Sequence, residues 1–173
     1  YHPMAEGIAV EGIRLVKDWL PAAVHDGKNL AARAHMLAAA SMGATAFQKG
    51  LGAIHSLSHP VGALYDTHHG LTNAVFMPYV LAFNRPAIED KMGRLAAFLG
   101  LKDASFTGFQ DWVLALRHEL KIPEKLDGLG VGDERIDEIA EAAAEDPTAP
   151  TNPVPAGAAE MRQMFEMALE GRL

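Results

Sequence analysis

The chain has 173 residues, about the size of one domain, with 22 acidic and 15 basic residues and a net charge of -7. That balance, with no Lys or Arg cluster, argues against nucleic acid or anionic lipid as a partner. The absence of Cys excludes disulfides and thiolate ligands and fits a reducing compartment, so the cytoplasm is the expected location. No run of about 18 apolar residues suggests a membrane span, and Tyr1-His2-Pro3 has the look of a cut piece of something longer.

The dominant apolar period is three to four, which is helical. A first helix carries Met4, Ile8, Gly12, Ile13, Leu15, Val16 and Trp19, opened by Pro3 and closed before Pro21. Asn29 caps a second, Ala-rich helix through Ala34, Leu37, Ala38 and Ser41 to Phe47. A short third helix passes through His55 and is broken at Pro60-Val61-Gly62. Gly70 to Phe83 resumes as helix with a kink at Pro78, and Asn84 and Pro86 open a fifth helix with Ile88, Met92, Leu95 and Leu99 on one face, stopped by Gly100. Phe76, Tyr79 and Phe83, at helical spacing, read as core rather than as a substrate wall. A sixth helix starts at Thr107, with Gln110 completing a capping box, and buries Trp112, Val113, Leu116 and Leu120. Asp133 caps a seventh through Ile136, Ile139, Ala140 and Ala143. Residues 146–155 contain four Pro and read as an ordered crossing loop. The eighth helix runs from Ala156 to Leu169, with Met161 and Phe165 inward. Sustained alternation is missing, so the fold class is all-α, a multi-helix bundle over residues 1–173.

The chemistry concentrates in the window holding His55, His59 and His69. Imidazole is the commonest side-chain ligand for transition metals. On spacing alone His55 and His59 form the pair, because residues four apart on a helix lie about 5–6 Å apart on one face. A lone pair at this spacing is as often packing or surface as a site. The bending residues Pro60, Gly62 and Gly70 offer a way for a third imidazole to return toward the first.

The window resembles the metal-binding segment of the iron-containing, or group III, alcohol dehydrogenases. The matching residues are Gly52, His55, His59, Pro60 and Gly62, then His69, Gly70, Asn73 and Ala74, followed by Met77-Pro78. Similarity extends to Pro3-Met4-Ala5 and to Thr151-Asn152-Pro153, so the whole chain resembles that family's C-terminal helical domain, of the dehydroquinate synthase-like architecture. The resemblance implies His55 and His69 as metal ligands, and His59 as a catalytic histidine beside the nicotinamide, lining the cleft without binding metal. It implies Fe²⁺, or Zn²⁺ in some members, and NAD or NADP, with a small alcohol or aldehyde as substrate and a homo-oligomer as the intact enzyme. His68 matches no ligand; His2, His25, His35 and His118 fall outside the motif and read as solvated or packing residues.

Two parts of the family pattern are missing from this sequence: an upstream Asp and His that complete the metal site, and the α/β nucleotide-binding half with its Gly-rich phosphate turn. The chain by itself is therefore expected to be inactive and to bind no NAD(P). Two other readings compete: a non-catalytic helical module with a metal or interaction role, and a zinc-type glycerol dehydrogenase relative.

Overall fold

A computed structural model describes residues 2–173; Tyr1, the first residue of the expected 1–173 domain, lies outside the described residues. Seven α-helices follow one another: α1 Pro3–His25, α2 Leu30–Ala46, α3 Gly52–Tyr65, α4 His69–Phe98, α5 Phe106–Glu119, α6 Ile136–Glu145 and α7 Ala158–Glu170. Short 3₁₀ turns occur at Phe47–Lys49, Leu126–Leu129 and Ala149–Thr151. No strand is present among the described residues, as the periodicity predicts.

The helix boundaries differ from expectation mainly at proline. α1 runs through Pro21, α3 through Pro60, and α4 is a single 30-residue helix through Pro78 and Pro86 where two helices are predicted. A proline inside a helix removes one backbone donor and crowds the carbonyl four residues earlier. That penalty is local. The turns beside two of the prolines are packed: Leu57 and Val61 flank Pro60 with no exposed surface, and Tyr79 and Val80 follow Pro78 almost fully buried. The chain instead breaks at Asp66, which caps α3 in the left-handed region (φ 54°, ψ 36°). Asp tolerates that conformation better than most non-glycine residues.

Two caps also move. Ser105 rather than Thr107 caps α5, accepting from the Gly108 N–H at 3.1 Å. Gln110 reaches back to the Pro78 carbonyl at 3.5 Å instead of closing a capping box. Ahead of α6, Asp133 closes a turn through its backbone carbonyl, bonded by Ile136 N–H at 3.1 Å, and its side chain caps nothing. Asn29 caps α2 as predicted, with its Oδ1 3.0 Å from Ala32 N.

Two apolar clusters organise the bundle. Leu57, Val61, Phe76, Tyr79, Val80, Ile139, Met161 and Phe165 belong to the larger, built from α3, the first half of α4, α6 and α7. Leu95, Ala96, Leu99, Phe109 and Val113 form the smaller, where α5 meets the second half of α4 and Val10 and Ile13 of α1 pack on it. α1 and α2 form a hairpin in which His35 stacks on Trp19 at 4.3 Å. Phe76 and Tyr79 are core, as expected, and Phe83 packs against them. Met4 and Leu37, apolar positions of the first two predicted helices, are instead exposed.

The residues of the crossing loop are ordered by a buried amide pair. Asn84, on the inner face of α4 and not at a helix start, exchanges two hydrogen bonds with Asn152, at 2.9 and 2.8 Å. Asn152 Oδ1 also accepts from Ala53 N–H at 3.1 Å, and Thr151 Oγ1 accepts from Gly52 N–H at 3.1 Å. The loop thus caps α3 from a distance, satisfying amides that α3's own N-cap residue, Leu51, cannot. Gly52 allows the approach: it has φ +67°, and a Cβ there would lie 3.1 Å from Asn152 Oδ1.

Candidate metal centre

His55 and His59 lie one turn apart on α3, and the turn at Asp66 brings the chain back so that His69 begins α4 beside them. Thr72 Oγ1 holds that turn, at 2.8 Å from Thr67 Oγ1 and 3.1 Å from the His68 carbonyl. The ring centroids form a triangle: 5.9 Å between His55 and His59, 5.2 Å between His55 and His69, and 5.5 Å between His59 and His69. All three predicted site residues are therefore brought together.

Asn73, one turn into α4, distinguishes two of them. Its amide nitrogen is 3.3 Å from His55 Nε2 and 3.2 Å from His69 Nε2. The same two nitrogens therefore converge on one point, the Asn73 amide nitrogen, although thirteen residues of chain lie between them. Asn73 Oδ1, beside them, is buried without a hydrogen-bond partner. An unpartnered buried oxygen amid converging imidazoles suits a site for a further polar group or ion. Imidazole nitrogen fits a borderline divalent ion such as Fe²⁺ or Zn²⁺. Two nitrogens are only part of a coordination shell, and no group of three His, Cys, Asp or Glu side chains among the described residues is close enough to hold an ion alone.

The electrostatics favour a neutral His55. Burial, then the neighbouring His69 and His59 rings, push its pKa below the ordinary imidazole value of 6.5; the Leu51 backbone and Asp146 oppose this more weakly. A neutral ring keeps a lone pair free for a metal.

His59 is more open and has a different partner. Its Nδ1 is 2.7 Å from Asp146 Oδ2, and the other carboxylate oxygen accepts from Thr148 N–H at 2.8 Å and Thr148 Oγ1 at 2.6 Å. Burial works to raise the Asp146 pKa, but the bonds from Thr148 and His59 outweigh it and hold the carboxyl below its usual value. Sequence reading misses Asp146. It sits 87 residues from His59, at the head of the proline-rich loop, and its only local signal is the acidic pair Glu145-Asp146 just before Pro147.

The remaining histidines take other roles. His68 caps α4, its Nδ1 accepting from Leu71 N–H at 3.3 Å, and His2 caps α1 in the same way through Ala5 N–H at 3.2 Å. His25 meets Glu119 at the surface, and His118 is exposed. No helix of the described residues is long and apolar enough to cross a membrane.

Comparison with known proteins agrees with the fold and with the family resemblance of the sequence. The family model described as Fe-containing alcohol dehydrogenase family, C-terminal, matches residues 1–169. The 4-hydroxybutyrate dehydrogenase of Cupriavidus necator is 37% identical over 98% of this chain and 46% of its own length. The NAD-dependent methanol dehydrogenase of Bacillus methanolicus is 33% identical over 96% of this chain and 46% of its own. A crystal structure of 1,3-propanediol oxidoreductase superposes with a TM-score of 0.92 at 32% identity, covering 97% of this chain and 46% of that one. The chain spans about half the length of the curated relatives it matches. With its helices, histidine motif and fold all in agreement, the chain belongs to the iron-containing alcohol dehydrogenase family of oxidoreductases, as that family's C-terminal helical domain.

Proposed function

We propose that this chain supplies the metal-holding and proton-handling wall of an NAD(P)-dependent alcohol dehydrogenase that interconverts a small alcohol and its aldehyde or ketone. The observation that carries the reading is the convergence of His55 Nε2 and His69 Nε2 on one point, with His59 alongside but turned to Asp146. His55 and His69 are the ligands this chain contributes, and further ligands and the nucleotide site come from sequence outside it. When bound, Fe²⁺ or Zn²⁺ supplies Lewis acidity toward the alcohol oxygen, and the nicotinamide supplies the hydride acceptor. His59 lines the nicotinamide side of the cleft, where it takes or returns the alcohol proton. Asn73 bridges the same two Nε2 lone pairs that would face the ion, so its amide would give them up when an ion is held.

Metal analysis and kinetics of three variants of the intact enzyme test the assignment. His55→Ala and His69→Ala lose metal and activity together. His59→Ala keeps the metal and loses about 10² to 10⁴ in turnover, the usual contribution of a general acid–base group. Loss of metal in His59→Ala with retention in His69→Ala would restore the simple helical pair of His55 and His59 and overturn the reading.

A further inference from the structure

The contact between His59 and Asp146 differs from an ordinary surface ion pair. Exposed pairs contribute little because both partners move. Here the Asp146 side chain is only 12% exposed and is held at its other oxygen by two donors from Thr148. Thr148 is anchored in turn: its hydroxyl proton goes to Asp146, so its Oγ1 accepts from Ser56 Oγ, 2.9 Å away and fully buried on α3. The support therefore runs from Ser56 on α3 through Thr148 and Asp146 of the crossing loop and back to His59 on the same helix. An ionised carboxylate only accepts hydrogen bonds. The proton between the two side chains consequently belongs to His59 Nδ1, and in a neutral ring the opposite nitrogen, Nε2, is left with a free lone pair.

We propose that Asp146 is a positioning residue that fixes His59 in the Nδ1–H tautomer, presenting Nε2 as the proton-accepting edge. The role of that edge rests on the reading of His59 given above; the tautomer does not. Asp146 touches no substrate. Its effect passes wholly through the ring it holds, as in other sites where a carboxylate orients a histidine.

The test is a long-range ¹⁵N–¹H spectrum of the ¹⁵N-histidine-labelled chain at about pH 8.5, roughly two units above the ordinary imidazole pKa. The His59 signal is identified by its loss in His59→Gln. Wild type shows Nδ1–H. In Asp146→Asn the amide oxygen keeps the two Thr148 donors, which turns the NH₂ group toward His59; that group donates to Nδ1, and the ring proton moves to Nε2. In the intact enzyme the same substitution lowers kcat about 10- to 100-fold with KM and metal content unchanged, the range found for groups that orient a functional histidine.

An Nε2–H tautomer in wild type overturns the proposal whatever any variant does. So does an unchanged Nδ1–H tautomer in a folded Asp146→Asn. A reversed tautomer with undiminished turnover leaves Asp146 as the orienting group and removes His59 from the chemistry.

Discussion

Replacing Asn152 by Ala tests how the crossing loop holds the histidine helix. The Asn152 side chain is almost fully buried and makes four hydrogen bonds, to Ala53 N, to both ends of the Asn84 amide and to the Val154 carbonyl at 2.7 Å. Truncation leaves two buried donors, Ala53 N–H and Asn84 Nδ2, with no partner. Asn84 Oδ1 still accepts from Val154 N–H at 3.3 Å, and the half-buried Val154 carbonyl can turn to water. At about 1–3 kcal/mol for each orphaned buried group, the loss is about 2–6 kcal/mol, a large share of the 5–15 kcal/mol typical of a domain. Asn84→Ala is milder, about 1–2 kcal/mol, because Asn152 keeps Ala53 N–H and Val154 O. The double variant costs less than the sum, since the partners are removed together. Urea unfolding with a constant m-value measures all three. A larger loss for Asn84→Ala than for Asn152→Ala, or a loss under about 1 kcal/mol for Asn152→Ala, would refute the claim that α3 is capped from the loop.

Two glycines should respond in opposite directions to alanine. Gly43→Ala in α2, where a Cβ meets nothing within 4 Å, is expected to raise stability by about 0.5–1 kcal/mol, whereas Gly108→Ala drives a Cβ into the Asp103 backbone and is expected to lower it by about 1–3 kcal/mol; thermal unfolding compares them. Glu6 is held at a pKa of about 2, first by the Lys49 hydrogen bond and then by Lys91, against an ordinary value of 4.5. Its contribution to stability is full above 4.5 and is lost as the pH falls toward 2, so the stability difference between wild type and Glu6→Gln should shrink across that window in acid titrations. His55, with its pKa lowered by burial, has the same sign on a different scale: wild type should lose stability relative to His55→Gln as the pH falls below 6.5, and parallel curves from about pH 8 to 5 would contradict its burial.

The helical character of the chain and the identity of its histidine window are legible in the sequence because both are local. Leu57 and Val61 repeat with the helical period, and the HxxxHPxG text is contiguous. Helix ends are less legible. Proline carries the strongest local signal for a break, yet Pro21, Pro60, Pro78 and Pro86 all lie inside helices; at Pro60 and Pro78 the packing of neighbouring turns outweighs one missing hydrogen bond. Asn84 has the composition of a cap, and only Asn152, 68 residues away, makes it a core residue. The pairing of His59 is hidden for the same reason, as its partner Asp146 arrives from the end of α6, 87 residues along the chain. Spacing would have joined His55 to His59. The route through Asp66 and the amide of Asn73 joins His55 to His69 instead.

The length of α4 bears on how the domain comes apart. At 30 residues it is about 45 Å long, and it is the one helix that lends buried side chains to both apolar clusters, Val75 to Val80 in one and Leu95 to Leu99 in the other. A shared helix couples the two halves, because unravelling it from either end strips apolar cover from the other. The cluster beneath the histidines is therefore expected to melt together with the one at Phe109 and Val113, at the opposite end of the rod. The two turns that lack a proline amide, at Pro78 and Pro86, lie in the middle of the beam that joins the clusters.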